Sequence, residues 1–138
     1  MVIYFSRSGR TKLLAEAVAN AKGETLFALE PMKKESMFKG AAKSFFRRAT
    51  ALREMPDISD TIYLCAPVWA GTVPPVVRGF IQNASWSGKT VTLLLTCGGP
   101  AAEYERSLAV QMEKLDVKVA SCRAFRGGVF TLEDIEKL

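Results

Sequence analysis

Five short apolar runs, each handing over to a stretch of different character, constrain this 138-residue chain more than any other feature. They lie at 2–5, 25–29, 61–66, 90–96 and 117–125, and are rich in Val, Ile, Leu, Tyr, Phe and Thr. Runs of this length and composition, closed by Gly, Pro and polar residues, read as buried strands. Helical periodicity fills the intervals. Leu13, Leu14, Ala17, Val18 and Ala21 share one face over 12–21, and Gly23 ends that helix. Phe38, Ala41, Ala42, Phe45, Phe46, Ala49 and Leu52 form an apolar stripe over 37–52. Further helices are expected over 76–83, started by Pro74 and Pro75, and over 101–115. Thr131 is placed as the N-cap of a short last helix with Glu133 and Asp134 in its first turn. Strands alternating with helices mean a parallel sheet covered on both faces. With right-handed crossovers, the expectation is one domain over 1–138, a three-layer α/β/α sandwich on five parallel strands.

In such sheets ligands bind beyond the carboxyl ends of the strands, where the strand order reverses. That directs attention to the loops after the first, third and fourth strands, at 6–11, 67–75 and 97–100. Composition narrows what they can do. Histidine is absent, which removes Ser-His-Asp and Cys-His nucleophile pairs, histidine metal sites and the usual base near neutral pH. Cys65, Cys97 and Cys122 contain no C-x-x-C pair, so a cysteine-held metal is not expected. Any redox chemistry must come from a bound cofactor, and neither a catalytic side chain nor a metal site is assigned. No membrane span and no signal peptide is read, so the expected location is cytoplasmic.

The first loop, Ser6-Arg7-Ser8-Gly9-Arg10-Thr11, joins the first strand to the first helix. A helix N-terminus offers unpaired N–H groups and partial positive charge to a phosphate. Gly9 lets the backbone approach closely, while Ser6, Ser8 and Thr11 supply hydroxyls. The same residues also fit an ordinary strand-to-helix turn capped by Ser8. The spacing is neither that of a Walker loop nor G-x-G-x-x-G. Gly88-Lys89-Thr90 lacks the leading glycine of a Walker loop and precedes a strand.

Strand, S-R-S-G-R-T and helix together resemble the [T/S]-x-[T/S]-G-x-T phosphate loop of the flavodoxins, with "APVWAG" and "TCGGP" in register behind it. The resemblance covers nearly the whole chain. It implies strand order 2-1-3-4-5 with FMN at the switch point, an arrangement for which flavodoxin is the standard example. By that resemblance, Ser6, Ser8, Gly9 and Thr11 hold the phosphate, with Arg7 and Arg10 at variable, solvent-facing positions. Trp69 stacks on the flavin ring, and Pro67, Val68, Ala70, Gly71 and Thr72 supply backbone contacts to its polar edge. Gly71 would permit a peptide reorientation tied to protonation of the ring. Thr96, Cys97, Gly98 and Gly99 form the other wall. Cys97 is read as a small residue where relatives carry Ser or Thr, and Cys65 and Cys122 as core. Loop three lacks the acidic residue and stacking tyrosine usual in general electron carriers, which leaves the second ring face open.

Net charge is +5. Seven cations (Lys33, Lys34, Lys39, Lys43, Arg47, Arg48 and Arg53) face Glu35 alone over 33–53, so the basic character is local. No specific nucleic-acid motif accompanies it, since the phenylalanines there belong to the apolar stripe. The first expectation is electron transfer through bound FMN to a redox partner protein or a small-molecule acceptor. The alternatives are an NAD(P)H-dependent quinone or small-molecule reductase on the same fold, and a flavin-free interaction module using 33–53. The brevity of the last helix leaves room for a homodimer.

Overall fold

The computed structural model describes residues 1–33 and 48–138. Most of the helix expected at 37–52 lies outside them, as does most of the basic segment. The elements are β1 (Val2–Tyr4), α1 (Arg10–Lys22), β2 (Leu26–Ala28), β3 (Thr61–Pro67), α2 (Pro75–Asn83), β4 (Thr90–Cys97), α3 (Ala101–Glu113), β5 (Lys118–Arg126) and α4 (Leu132–Glu136). The five strands form one parallel sheet in the order β2-β1-β3-β4-β5, as expected.

Side-chain alternation divides the sheet between two layers. Ile3, Leu64, Leu93 and Leu95 point toward α2 and α3, where Val77, Phe80, Leu108 and Met112 are buried. Val2, Cys65, Leu94 and Phe125 point the other way, against Leu14, Ala15 and Val18 of α1 and Ile135 of α4. Fully buried Phe80 meets Trp86 edge-on with ring centroids 5.4 Å apart, and the Trp86 indole N–H donates to the Ile81 carbonyl at 2.8 Å. The second tryptophan is therefore a core residue. Truncating a buried aromatic of this kind to Ala costs roughly 3–5 kcal/mol.

The expected helix does not continue through 48–52. That segment runs without regular structure, with Leu52 bridged to Pro31. Its backbone bonds outward instead of along a helix: Thr50 N–H to Pro75 O, Met32 N–H to Ala51 O and Arg53 N–H to Glu30 O, each at 2.9 Å. Gly79 explains the docking of this segment on α2. A Cβ there would collide with the Thr50 carbonyl oxygen, so only glycine admits the strand-like chain so close.

Thr131 caps α4 as expected, accepting the Asp134 N–H while the Asp134 carboxylate accepts the Thr131 N–H at 2.9 Å. The Asp134 carboxyl is held below its ordinary value of 3.8, first by that backbone bond and then by the Thr131 hydroxyl and Arg123. Among the described residues, no helix is long and apolar enough to cross a membrane.

Candidate functional site

All the loops named from the sequence lie at the carboxyl end of the sheet, and β4 ties them together through its last two residues. Thr96 sits on the Leu94 side of β4 and so faces α1. Its hydroxyl oxygen lies 2.8 Å from that of Thr11, and both residues are buried. The Thr96 carbonyl accepts the Val68 N–H at 2.8 Å, which anchors loop two. The Cys97 carbonyl accepts the Gly127 N–H at 2.7 Å, which anchors the turn after β5.

Loop one differs from a side-chain-capped turn. Gly9, at φ +90°, occupies the N-cap of α1, and no side chain caps the helix. The Ser6 hydroxyl accepts the Gly9 N–H at 3.1 Å, and the first intrahelical bond runs from Leu13 N–H to Gly9 O. The N–H groups of Arg10, Thr11 and Lys12 therefore lack intrahelical acceptors. Arg7, Ser8 and Arg10 are exposed. Arg7 also makes a contact that the sequence did not reveal: its guanidinium carbon lies 5.9 Å from the centre of the Trp69 ring. An exposed cation–π pair of this kind contributes roughly 0.5–1 kcal/mol.

Loop two is a tight turn. Trp69 and Thr72 bond each other in both directions, with Ala70 at φ +48° and Gly71 at φ +77° between them. Two positive φ values in succession are the mark of a type I′ turn. Half-buried Trp69 rests edge-on against Phe5, with centroids 5.6 Å apart. Buried Arg78 on α2 donates through Nη2 to the Thr72 hydroxyl at 2.6 Å, clamping the turn from below. In loop three Gly99 packs against Tyr104, whose hydroxyl would have to shift to admit a Cβ that would stand 2.5 Å from it. Tyr104 thus reaches back from α3 onto the loop.

Between these loops lies a cleft of about 160 Å³ lined by Ser8, Arg10, Pro67, Val68, Trp69, Thr96, Cys97, Gly98, Gly127 and Gly128. Among the described residues, no carboxylate lines it. Thr11 stands behind Thr96 and does not form part of the wall. Gly127 and Gly128, at φ +69° and +72°, are a fourth wall that sequence reasoning missed. A glycine pair directly after a strand's carboxyl end was the available signal. The Arg10 side chain lies along this turn, where a Cβ on Gly128 would stand 3.2 Å from its own Cβ.

Each of the three thiols is pushed up from its ordinary value. Burial pushes Cys65 well above its ordinary range and, with the Glu105 carboxylate, pushes Cys122 up to about 12. Cys97 is raised too, again mainly by burial, and its Sγ lies 3.8 Å from the Gly99 carbonyl oxygen. Among the described residues no group of three or more acidic, Cys or His side chains could hold a metal ion.

A helix terminus without a side-chain cap, an aromatic turn and glycine-bearing loops thus meet at one end of the sheet. Residues 1–125 match the family model described as Flavodoxin. The chain belongs to the flavodoxin family. Solved structures agree on the fold. A Bacteroides eggerthii protein named as a flavoprotein is similar over 99% of this chain and 92% of its own, with TM-score 0.83 and 21% identity. A Lactobacillus acidophilus flavoprotein in complex with FMN is similar over 89% and 90%, with TM-score 0.73 and 17% identity. The two-electron reduced flavodoxin of Megasphaera elsdenii is similar over 99% and 96%, with TM-score 0.63 and 15% identity. Among curated proteins none matches the sequence.

Proposed function

We propose that this flavodoxin-family chain binds FMN in the cleft and passes electrons through it to a redox partner protein or a small-molecule acceptor. The observation that carries the reading is the N-terminus of α1. It has no side-chain cap, adjoins a cleft that no carboxylate lines among the described residues, and has Arg10 in the cleft wall. The free N–H groups, the Ser8 hydroxyl and the Arg10 guanidinium at that end suit a ligand group that only accepts. The similar Lactobacillus acidophilus structure with FMN supports the same choice.

Bound FMN would supply the redox chemistry by accepting and releasing electrons. The chain's own part is binding and orientation. Ser6 holds loop one by taking the Gly9 N–H, which leaves the next three N–H groups for the phosphate. The Trp69 turn, fixed by Arg78 and by Thr96, presents a flat apolar surface to the ring. Gly98 and Gly99 let the backbone of loop three approach the ring without side chains between.

Equilibrium titration of the protein, stripped of any bound flavin, with FMN and with riboflavin tests the binding. One equivalent of FMN, held more tightly than riboflavin, is expected; failure to bind either flavin would remove the proposal. Adding NAD(P)H and a quinone to the loaded protein separates carrier from reductase. Quinone-dependent consumption of NAD(P)H would favour the reductase reading, which rests on the short third loop.

A further inference from the structure

The basic stretch of the sequence is tied to the same end of the molecule as the cleft. β2 runs parallel to β1, and the Leu29 N–H bonds the Tyr4 carbonyl at 2.7 Å, so the chain leaves β2 beside loop one. The Met32 N–H then bonds the Ala51 carbonyl and the Arg53 N–H the Glu30 carbonyl, each at 2.9 Å. Lys33, Arg48 and Arg53, on either side of this junction, are exposed. The sequence between Lys33 and Arg48 adds Lys34, Lys39, Lys43 and Arg47 against Glu35 alone. Arg7 and Lys12 continue the basic rim. They share a surface depression with Leu29 and Glu30, and Arg7 reaches to 5.9 Å from the centre of the Trp69 ring.

Glu30, 2.9 Å from Arg53, and Glu16, 3.6 Å from Lys12, neutralise part of this charge. Both pairs are largely exposed, so each contributes little and leaves its cation open to a competing carboxylate. The opposite end of the sheet is mixed in sign, with Lys89, Lys118, Glu113 and Asp116 around one depression. Met32, 59% exposed, stands beside Lys33 at the junction. Methionine and arginine are both enriched at protein interfaces.

Resting on the FMN reading above, we infer that this basic rim is the docking surface for the redox partner, and that the partner is a protein whose matching face is acidic. The rim borders the cleft mouth, where electrons would enter and leave. A nucleic acid or a lipid surface held there would have none to exchange. An acidic protein drawn by the rim is delivered to that mouth, and charge of this kind acts mainly on the rate of encounter. Cofactor and basic segment then serve one function.

Poly-L-glutamate stands in for the acidic face and needs no redox step. Titrated into the apoprotein at low salt and followed by tryptophan fluorescence, it should bind, and dissociate as salt rises. Lys33→Glu combined with Arg48→Glu should weaken it about tenfold. Lys114→Glu combined with Lys118→Glu, at the far end of the sheet, should not. FMN affinity should be unchanged in both, which also certifies that they fold. Either rim reversal alone gives the same test, with a smaller effect, if the pair disturbs the fold. In the FMN-loaded, reduced protein, oxidation by anionic ferricyanide should slow as salt rises, and oxidation by cationic hexaammineruthenium(III) should quicken. The rim pair should flatten both dependences.

Equal weakening of poly-L-glutamate by the rim and far pairs, or none by the rim pair, would overturn the docking surface. So would oxidation rates indifferent to the rim pair, because the cations would then lie off the path of the electrons. Rim-dependent sedimentation with phosphatidylglycerol vesicles, without binding of poly-L-glutamate, would assign the rim to a lipid surface and overturn it too. A wild-type protein that does not bind FMN would overturn the FMN reading and the redox partner with it. Intact FMN binding with the wrong variant pattern would overturn this inference alone.

Discussion

Trp69 and Thr72 exchange backbone hydrogen bonds in both directions, at 2.7 and 3.1 Å, around two residues that both have positive φ. The turn fixes the position of the tryptophan but requires left-handed backbone. A Cβ on Gly71 would touch nothing within 4 Å, so the cost of adding one is conformational alone. Gly71→Ala should lower stability by roughly 1–2 kcal/mol, the left-handed penalty of an L-residue. Denaturant melts of the apoprotein measure it, and an unchanged midpoint would refute the turn assignment.

Trp69 and loop one should separate by ligand. Trp69→Ala removes surface from the ring, so FMN and riboflavin should weaken together, by about three- to tenfold for an aromatic contact. Ser8→Ala should affect FMN alone. Paired titrations of both variants decide it, and equal effects on both ligands in both variants would contradict the division of the site.

Gly128→Ala tests the fourth wall. The new Cβ presses on Arg10 at 3.2 Å from a backbone at φ +72°. Stability should fall by roughly 1–2 kcal/mol. Displacement of Arg10 should weaken FMN more than riboflavin. A variant with wild-type melting and wild-type FMN affinity would remove this turn from the site.

The Thr131–Asp134 capping box should be sensitive to acid. Asp134 is held below its ordinary value of 3.8 in the folded chain, so its bonds stabilise the fold above that value. As pH falls through the lowered folded value, the carboxyl is protonated and the contribution is lost. Thr131→Ala should therefore lower Tm at pH 7. The gap to wild type should narrow as pH drops below about 4, near the ordinary aspartate pKa. A gap that stays constant with pH would show that the cap acts without the carboxylate.

The sheet was legible because fully buried parallel strands leave continuous apolar runs, and the helices between them keep a clear stripe. Three walls of the cleft were legible for a related reason. The loops that supply them, Ser6–Thr11, Pro67–Thr72 and Thr96–Gly99, each carry glycines, hydroxyls or an aromatic just where an apolar run stops, and Ser8, Arg10, Pro67, Val68, Trp69, Thr96, Cys97 and Gly98 of these line the cleft. Gly127 and Gly128 stand in the same position after β5 but resemble any tight turn. Helix was expected as far as Leu52, but over 48–52 the apolar periodicity continues while the backbone bonds go to Glu30, Met32 and Pro75. The Thr11–Thr96 bond joins residues 85 positions apart, and the clamp of Arg78 on Thr72 depends on how α2 docks. Neither leaves a pattern in the sequence, since each depends on which side chains the folded sheet brings together.

The most direct test of the account is the visible spectrum of the purified protein, with mass identification of whatever acid releases from it. The account predicts a yellow protein that releases one equivalent of FMN, and an apoprotein that recovers the spectrum when FMN is returned. A colourless protein whose spectrum stays that of free flavin when FMN is added would contradict it.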